Sequence, residues 1–243
     1  MIIISPSKRQ AKPDYKSGLK KPLFLEDTAF LASALNMLSL SELKGVLNIS
    51  DVLVAKAYDQ YQNLDVGSDV SMAAIDLYQG DVFKHLDAKH LSDDEIQYLE
   101  NNLQIISPLY GLVTPLTGIW PYRLEMISKI PMVKNLPSFW EKMQQAIDIN
   151  PPQYIFNLAS KEYAGVLSTP QGTKWIDIVF QDKNASGQYR IIAIKAKRMR
   201  GELLQYMAKH KINTPEHLCA FTHPEYEFSE DVSTPQKLVF RSI

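Results

Sequence analysis

The chain has 243 residues, of which 45% are hydrophobic and 22% charged, a composition typical of globular proteins and unlike that of disordered chains. Its formal net charge is −1, so binding of an anionic polymer would require local clustering of basic residues. The single cysteine, Cys219, cannot form an intramolecular disulfide, and no window reaches the roughly 18 apolar residues of a membrane-spanning helix. We therefore expect a soluble, cytoplasmic protein that does not enter a membrane.

Helical patterns dominate the first half of the chain. Residues 2–5, three isoleucines followed by a serine, are typical of a short buried strand, and the lysine-rich stretch 8–22, with two prolines and a glycine, predicts an exposed loop. Ser41 is a candidate N-cap for a helix that ends near residue 47. Other apolar stripes, caps and breaks predict helices at residues 28–38, 51–62, 72–78, 93–102 and 138–149.

The second half of the chain is richer in strand patterns. Residues 175–194 predict a β-hairpin with its turn at 182–187, and residues 197–211 predict a helix interrupted by Gly201. Further strands are predicted at residues 154–159, 218–221 and 238–240. This segregation predicts an α+β fold in which helices pack around a mixed β-sheet core, with a helix-rich N-terminal half and a strand-rich C-terminal half. Without internal repeats or linkers, residues 1–243 are interpreted as one domain.

Basic residues cluster in two segments that are candidates for phosphate binding. The first is the loop after the first strand, which contains Lys8 and Arg9. The second is a predicted junction between a strand and a helix, where free backbone amides would add to an anion site. It contains four cations within six residues, namely Lys195, Lys197, Arg198 and Arg200. Strand alternation would point Lys195 and Lys197 to one side, although a solvated helix face is the alternative.

A candidate pocket is predicted from residues that follow strands or lie in an aromatic loop. Ser160, Lys161 and Glu162 directly follow a predicted strand, at the end where α/β folds place ligands, and Ser5 follows the first strand. These four residues and Lys8 are expected to lie together. Tyr122 and Arg123 lie in a loop rich in proline, glycine and aromatic residues. Arg123 could bind a phosphate or carboxylate, or instead form a structural ion pair with Glu125.

Two chemical alternatives to simple anion binding are open from the sequence. Ser5 with Lys8, or Ser160 with Lys161, could supply a nucleophile and its base for an enzyme that acts on a nucleotide-like small molecule. His217, Cys219 and His223 offer metal-ligand types, but Cys219 fits a buried strand face better. No His and carboxylate set has the spacing of a non-haem iron centre. We expect no metal site and no cofactor.

Several blocks of the sequence resemble, in the same order, those of the YaaA family of bacterial peroxide-stress proteins. The blocks are residues 2–8 (IIISPSK), 80–83 (GDVF), 109–116 (LYGLVTPL), 121–126 (PYRLEM), 139–140 (FW), 157–163 (NLASKEY), 180–183 (FQDK), 197–201 (KRMRG) and 214–218 (TPEHL). The resemblance therefore covers essentially the whole chain. The chain departs from the family at Met199, where a small residue is usual, and at Arg9-Gln10, where Leu-Asp is common.

The resemblance implies a compact mixed fold, DNA binding that includes a helix-hairpin-helix element, and a role in limiting intracellular iron damage during peroxide stress. Residues 43–61 resemble that element, but their connection, residues 48–50, lacks the usual Gly-x-Gly, so DNA contact and ordinary helix packing both remain open. We predict binding of duplex DNA with little sequence preference, and a small anionic ligand is a further candidate partner. The predicted phosphate contacts are Lys8, Arg9, Arg123, Lys195, Lys197, Arg198 and Arg200.

Overall fold

The computed structural model describes all 243 residues and has the predicted α+β architecture, with a mixed sheet of eight strands and eleven α-helices. The helices are α1 (Leu25–Asn36), α2 (Leu40–Leu47), α3 (Asp51–Gln62), α4 (Ala74–Leu77), α5 (Asp81–Leu86), α6 (Asp93–Asn102), α7 (Leu136–Phe139), α8 (Lys142–Asp148), α9 (Lys161–Ala164), α10 (Ala193–His210) and α11 (Pro215–Cys219). The strands are β1 (Ile2–Ile4), β2 (Lys16–Ser17), β3 (Val70–Ala73), β4 (Leu103–Ser107), β5 (Gly111–Val113), β6 (Gly118–Ile119), β7 (Tyr154–Asn157), β8 (Lys174–Lys183), β9 (Tyr189–Arg190), β10 (Tyr226–Phe228) and β11 (Lys237–Ser242).

Strand β1 lies in the middle of a parallel array. It pairs in parallel with β4 on one side and with β7 on the other, and β8 and β11 extend the array beyond β7. Antiparallel strands β5 and β10 form the edges, and β9 pairs with β8. Ile2, Ile3 and Ile4 are at most 1% exposed, as expected for a strand with both faces covered. The chain order reverses at β1, because β4 lies on one side and all later parallel strands lie on the other.

The two halves of the chain share one hydrophobic core. A single cluster of 59 buried residues includes members as far apart in sequence as Ile2 and Phe240. The remaining strands, β2, β3 and β6, form a separate small antiparallel sheet. Helices α2 and α3 pack against each other, as the predicted helical pair requires, and α10 packs against α5, α6 and β8.

Capping residues predicted some helix boundaries correctly. Helices α3 and α6 occupy the predicted ranges, and Ser92 caps α6 with Glu95. The prediction that Ser41 caps α2 is wrong. Ser39 is the N-cap, because its hydroxyl accepts the Glu42 amide at 3.3 Å while the Glu42 carboxylate accepts the Ser39 amide at 2.8 Å.

Several predicted elements in the second half have different boundaries or a different type. The hairpin is confirmed but short, since β9 ends at Arg190 and helix α10 already begins at Ala193. The strand predicted at residues 218–221 is wrong, because α11 begins at Pro215, where proline fits the first helical turn. The predicted helix at 138–149 is divided into α7 and α8, and the one at 72–78 begins with strand β3.

Gly201 does not interrupt α10 but allows it to approach α5 closely. A Cβ atom at residue 201 would lie 2.3 Å from the Val82 carbonyl oxygen and 2.8 Å from the His85 Cβ atom. The glycine is buried, and the neighbouring backbone leaves no room for a side chain. The missing side chain therefore fixes the distance between the two helices.

We predict that Gly201→Ala destabilises the protein by about 1 to 3 kcal/mol, because α5 and α10 must separate to accommodate the methyl group. Gly45→Ala is the matched control, since Gly45 lies in α2 with nothing within 4 Å of its added Cβ. The free energy of unfolding of that control should rise by about 0.5 to 1 kcal/mol, because alanine has a higher helix propensity than glycine. Urea unfolding measures both values, and equal effects of the two substitutions would contradict the proposed contact.

Candidate functional site

A cleft opens at the carboxyl ends of β1 and β7, the two strands between which the chain order reverses. Its cavity has a volume of about 510 Å³. We refer to it as the basic cleft; its lining residues are Ser5, Pro6, Ser7, Lys8, Arg9, Gly80, Asp81, Val82, Phe83, Leu158, Ser160, Glu162, Tyr163, Lys197 and Arg200. This location at the reversal of strand order is where open α/β sheets bind ligands.

Ser5 and Ser160 connect the ends of β1 and β7. The Ser5 hydroxyl accepts a hydrogen bond from the Ser160 amide at 2.9 Å and donates to the Ser160 hydroxyl oxygen at 3.3 Å. The Ser160 hydroxyl proton has no acceptor within the protein. The two serines therefore join neighbouring strand ends and leave one donor available to a ligand.

Helix α10 contributes two cations from one of its faces. Lys197 and Arg200 are three residues apart and both line the cleft, as expected for side chains one helical turn apart. Neither forms an ion pair with a carboxylate. The Nε atom of Arg200 is buried without a hydrogen-bond partner, and burial lowers the pKa of its guanidinium. Arg200 is thus a largely desolvated cation with unused donors.

The rest of the lining combines two exposed cations with two carboxylates, Asp81 and Glu162. Arg9 is exposed and has no ionic partner, whereas the Nζ atom of Lys8 lies 2.5 Å from a Glu125 carboxylate oxygen. Glu162 accepts a hydrogen bond from the Met126 amide at 3.1 Å through one of its oxygens. Counting Asp81, the cleft holds four basic and two acidic residues, and its charge therefore favours an anion.

Lys195 and Arg198 lie outside the basic cleft. The prediction that Lys195 and Lys197 share a side assumed a strand, whereas residues two apart in α10 differ by about 200° around the helix axis. Lys195 instead bonds at 2.7 Å to Asp182, a carboxylate that is 2% exposed. Arg198 pairs with Glu202 at 2.8 Å. These two cations neutralise acids of the protein itself.

Tyr122 and Arg123 line a smaller recess beside the cleft, which we call the α3 recess. Its lining is Lys8, Gln10, Leu53, Lys56, Gln60, Tyr122 and Arg123. The Tyr122 hydroxyl is buried and bonds to Tyr78 and Ser107, each at 2.9 Å, and burial raises its pKa to about 12. The Arg123 guanidinium lies 3.6 Å from a Glu125 carboxylate oxygen. This is the structural ion pair that the sequence offers as the alternative to ligand binding. Lys8 lines both cavities, so the basic surface continues onto α3.

Comparison with known proteins identifies the family. Residues 1–232 match the family described as peroxide stress protein YaaA. This chain belongs to that family. It is 33% identical to a UPF0246 protein of Rickettsia bellii over 231 aligned residues, and the alignment covers 93% of this chain and 92% of the relative. A UPF0246 protein of Lactiplantibacillus plantarum is 33% identical over 245 residues, covering 98% of each chain. A UPF0246 protein of Legionella pneumophila is 31% identical over 253 residues, which cover 99% of this chain and 98% of the relative.

In this YaaA-family chain, the proposed pairs of serine and lysine do not form. The hydroxyl of Ser5 bonds to Ser160, and the Lys8 ammonium bonds to Glu125. Lys161 is exposed and does not line the cleft, although its neighbours Ser160 and Glu162 do. The structure therefore gives neither serine a lysine base within hydrogen-bonding distance.

Sequence reasoning missed two contributions to the site. Gly80 and Asp81 belong to a block that resembles the YaaA family, but no local pattern indicates that they line the pocket. A Cβ at residue 80 would lie 2.4 Å from the Ser7 hydroxyl oxygen, so the glycine lets the loop after β1 pack against α5. Lys56 lies in a segment whose pattern indicates only an amphipathic helix. Tertiary packing places it in the same recess as Lys8.

The chain shows no arrangement of three or more His, Cys, Asp or Glu side chains that could hold a metal ion. Cys219 is partly buried at the end of α11 rather than on a strand, and His223 instead bonds to Glu202 at 2.7 Å. None of the helices combines the length and the apolar character that a membrane crossing requires.

Glu202 of α10 is the centre of an ionic cluster that also includes a side chain of α5. Its carboxylate contacts Arg198, His223 and His85, the last at 3.3 Å. Burial acts to raise the pKa of Glu202, but the hydrogen bond and charge of Arg198 and the contact with His223 outweigh it, and the net pKa is lowered below the usual 4.5. The ionised carboxylate therefore stabilises the folded state.

We predict that Glu202→Gln lowers the free energy of unfolding at neutral pH. Because the folded-state pKa is depressed, the contribution of Glu202 is present above its unfolded pKa and is lost as pH falls through its folded pKa, below 4.5. Urea unfolding should therefore show a difference from wild type that shrinks in acid. Glu227→Gln, at the exposed position of β10, is the control and should show little difference at either pH. A pH-independent effect of Glu202→Gln would contradict the electrostatic explanation.

Proposed function

We propose that this protein binds duplex DNA through the basic cleft, with little sequence preference, as its part in the peroxide-stress response. The observation that carries the proposal is the convergence of two exposed cations, Arg9 and Lys197, on one concave surface without a carboxylate partner. Cations that are not neutralised within the protein are available to phosphates, and they release counterions when they bind. Contacts of this kind position a duplex but do not read its sequence.

The continuation of the basic surface onto α3 supports a second DNA contact. Lys56 on α3 lines the α3 recess together with Lys8, which also lines the basic cleft. A duplex in the cleft would therefore pass beside the pair of helices α2 and α3, which resembles a helix-hairpin-helix element. Asn48 adopts a left-handed conformation, with φ of 49°, in the connection between these helices. We propose that this pair assists phosphate binding through the Lys56 side chain.

Protection against iron damage, which family membership implies, needs no iron site in this proposal. Duplex DNA carries a condensed layer of cations, and a protein that neutralises phosphates displaces them. Ferrous ions held near phosphates would be displaced in the same way. We therefore propose that the protein limits iron damage by occupying DNA.

We predict that Arg9→Gln combined with Lys197→Gln weakens duplex binding similarly across sequences. Loss of two phosphate contacts should reduce the slope of log affinity against log salt by about 1.8. Arg198→Gln is the matched control, because Arg198 also lies on α10 but pairs with Glu202 and Glu225 outside the cleft. Fluorescence anisotropy at several salt concentrations measures the slopes.

The two variants separate the cleft from general surface charge. Equal losses of duplex affinity in the double variant and in Arg198→Gln would show that any surface cation contributes equally. Binding through the basic cleft would then be contradicted. An unchanged affinity in a double variant with a native circular dichroism spectrum would refute DNA binding through the cleft.

The indirect role in iron protection is tested by anaerobic titration with ferrous iron. We expect no stoichiometric binding to the protein alone, because no suitable ligand cluster is present. Addition of the protein to DNA should lower the amount of ferrous iron that equilibrium dialysis finds on the DNA. Tight, histidine-dependent binding of one ferrous ion per chain would contradict this account.

A further inference from the structure

The deepest part of the basic cleft has features that duplex binding does not require. A duplex touches a protein through phosphates on its outer surface, and exposed Arg9 and Lys197 suffice for such contacts. Arg200 lies deeper, with its Nε atom buried and unpartnered. Partial burial of a cation without a partner costs stability, so a ligand that reaches Arg200 gains an interaction that a duplex at the rim does not.

The donors around Arg200 suit a phosphate group. A guanidinium presents several N–H donors in a plane that matches phosphate oxygens, and hydrogen bonds between charged groups are about twice as strong as neutral ones. Lys197 lies one helical turn away, and the Ser160 hydroxyl has an unused proton at the end of β7. A terminal phosphate would thus receive donors from two elements of the fold.

The other walls of the deep cleft suit the remainder of a nucleotide. Glu162 has one carboxylate oxygen bound to the Met126 amide, which fixes the group and leaves its second oxygen available to sugar hydroxyls. Phe83 and Tyr163 line the cleft and keep 6% and 7% of their surface exposed, which gives a base the edges of two aromatic rings to contact. The volume of about 510 Å³ lies within the range of small-molecule sites.

We propose that the deep part of the basic cleft binds a single nucleotide unit that carries a terminal phosphate, with the phosphate on Arg200, Lys197 and Ser160. This inference rests on the proposed function, because both use the basic cleft. It adds a nucleotide phosphate as a ligand of the deep part of that cleft. The unit has two possible sources, a free mononucleotide or the phosphorylated end of a nucleic-acid strand. Both present the same phosphate monoester.

Isothermal titration calorimetry with adenosine 5′-monophosphate tests the proposal. One molecule per chain should bind, whereas adenosine, which lacks the phosphate, should bind at least about tenfold more weakly because it loses the charged hydrogen bonds. Arg200→Gln should lower the affinity for the nucleotide by about tenfold or more, and Ser160→Ala by about fivefold. Arg198→Gln should leave it unchanged, because Arg198 lies outside the cleft. If Arg200→Gln does not fold, the mononucleotide affinities of Ser160→Ala and Lys197→Gln are compared with that of the wild type instead.

Single-stranded oligonucleotides with and without a 5′-phosphate distinguish the two sources. Tighter binding of the phosphorylated strand, lost in Arg200→Gln, identifies strand ends as a source. Equal binding of the two strands, with saturable mononucleotide binding, identifies the free nucleotide. The proposal is overturned if the mononucleotide does not bind and the 5′-phosphate has no effect on strand binding. It is also overturned if those of Arg200→Gln, Ser160→Ala and Lys197→Gln that fold all bind the mononucleotide as the wild type does.

Failure of this inference can be distinguished from failure of the proposed DNA binding. Ser160→Ala should retain the affinity for closed circular duplex DNA, which has no ends, because the rim cations remain. Duplex binding without mononucleotide or end binding would reject the inference alone. Mononucleotide binding in a protein that fails to bind circular duplex would reject the proposed function alone.

Discussion

Strand β1 is hydrogen-bonded in parallel to β4 on one side and to β7 on the other, and the other features of the site depend on this pairing. Because both neighbours run in the same direction, the loops after β1 and β7 leave the sheet at one edge and diverge. The hydrogen bonds between Ser5 and Ser160 connect these loops at their base. Gly80 then lets the chain after Ser5 pack against α5, and Gly201 lets α10 approach α5 closely. Backbone packing, rather than charge, therefore brings the basic residues together.

Helix α10 separates two kinds of cation that are adjacent in sequence. Along one side, Lys195 and Arg198 neutralise Asp182 and Glu202, acids that folding has removed at least partly from water. On the side that faces the cleft, Lys197 and Arg200 have no such partner. A buried carboxylate needs a nearby cation, so the first pair is required by the fold and is not available to a ligand. Charge density along the chain thus overstates the number of residues that can bind phosphate.

The sequence predicted those features that depend on neighbouring residues. The range of α3, the cap of α6 by Ser92, the buried first strand and the grouping of Ser5 with Ser160 all follow from local patterns or from strand ends. The faces of α10 could not be predicted once residues 189–194 were interpreted as a strand, although Ala196, Met199 and Leu203 have helical spacing and are buried. The parallel order of the sheet was also missed, because pairing between distant segments leaves no local periodicity. The same holds for Lys56, which reaches the site only through the packing of α3.

The net charge of −1 gives little information about this site, because the interactions that matter act over short distances. At physiological ionic strength, exposed charges more than about 8 Å apart are largely screened, so a ligand in the cleft responds mainly to the charges of its lining. The rim is dominated by Arg9 and Lys197, which are exposed, have no ionic partner and favour any polyanion. Farther in, Arg200 is poorly solvated and Glu162 adds a fixed acceptor, so an anion that offers no donor leaves the carboxylate unpaired. Affinity for phosphates at the rim and selectivity at depth therefore arise from different residues of the same cleft.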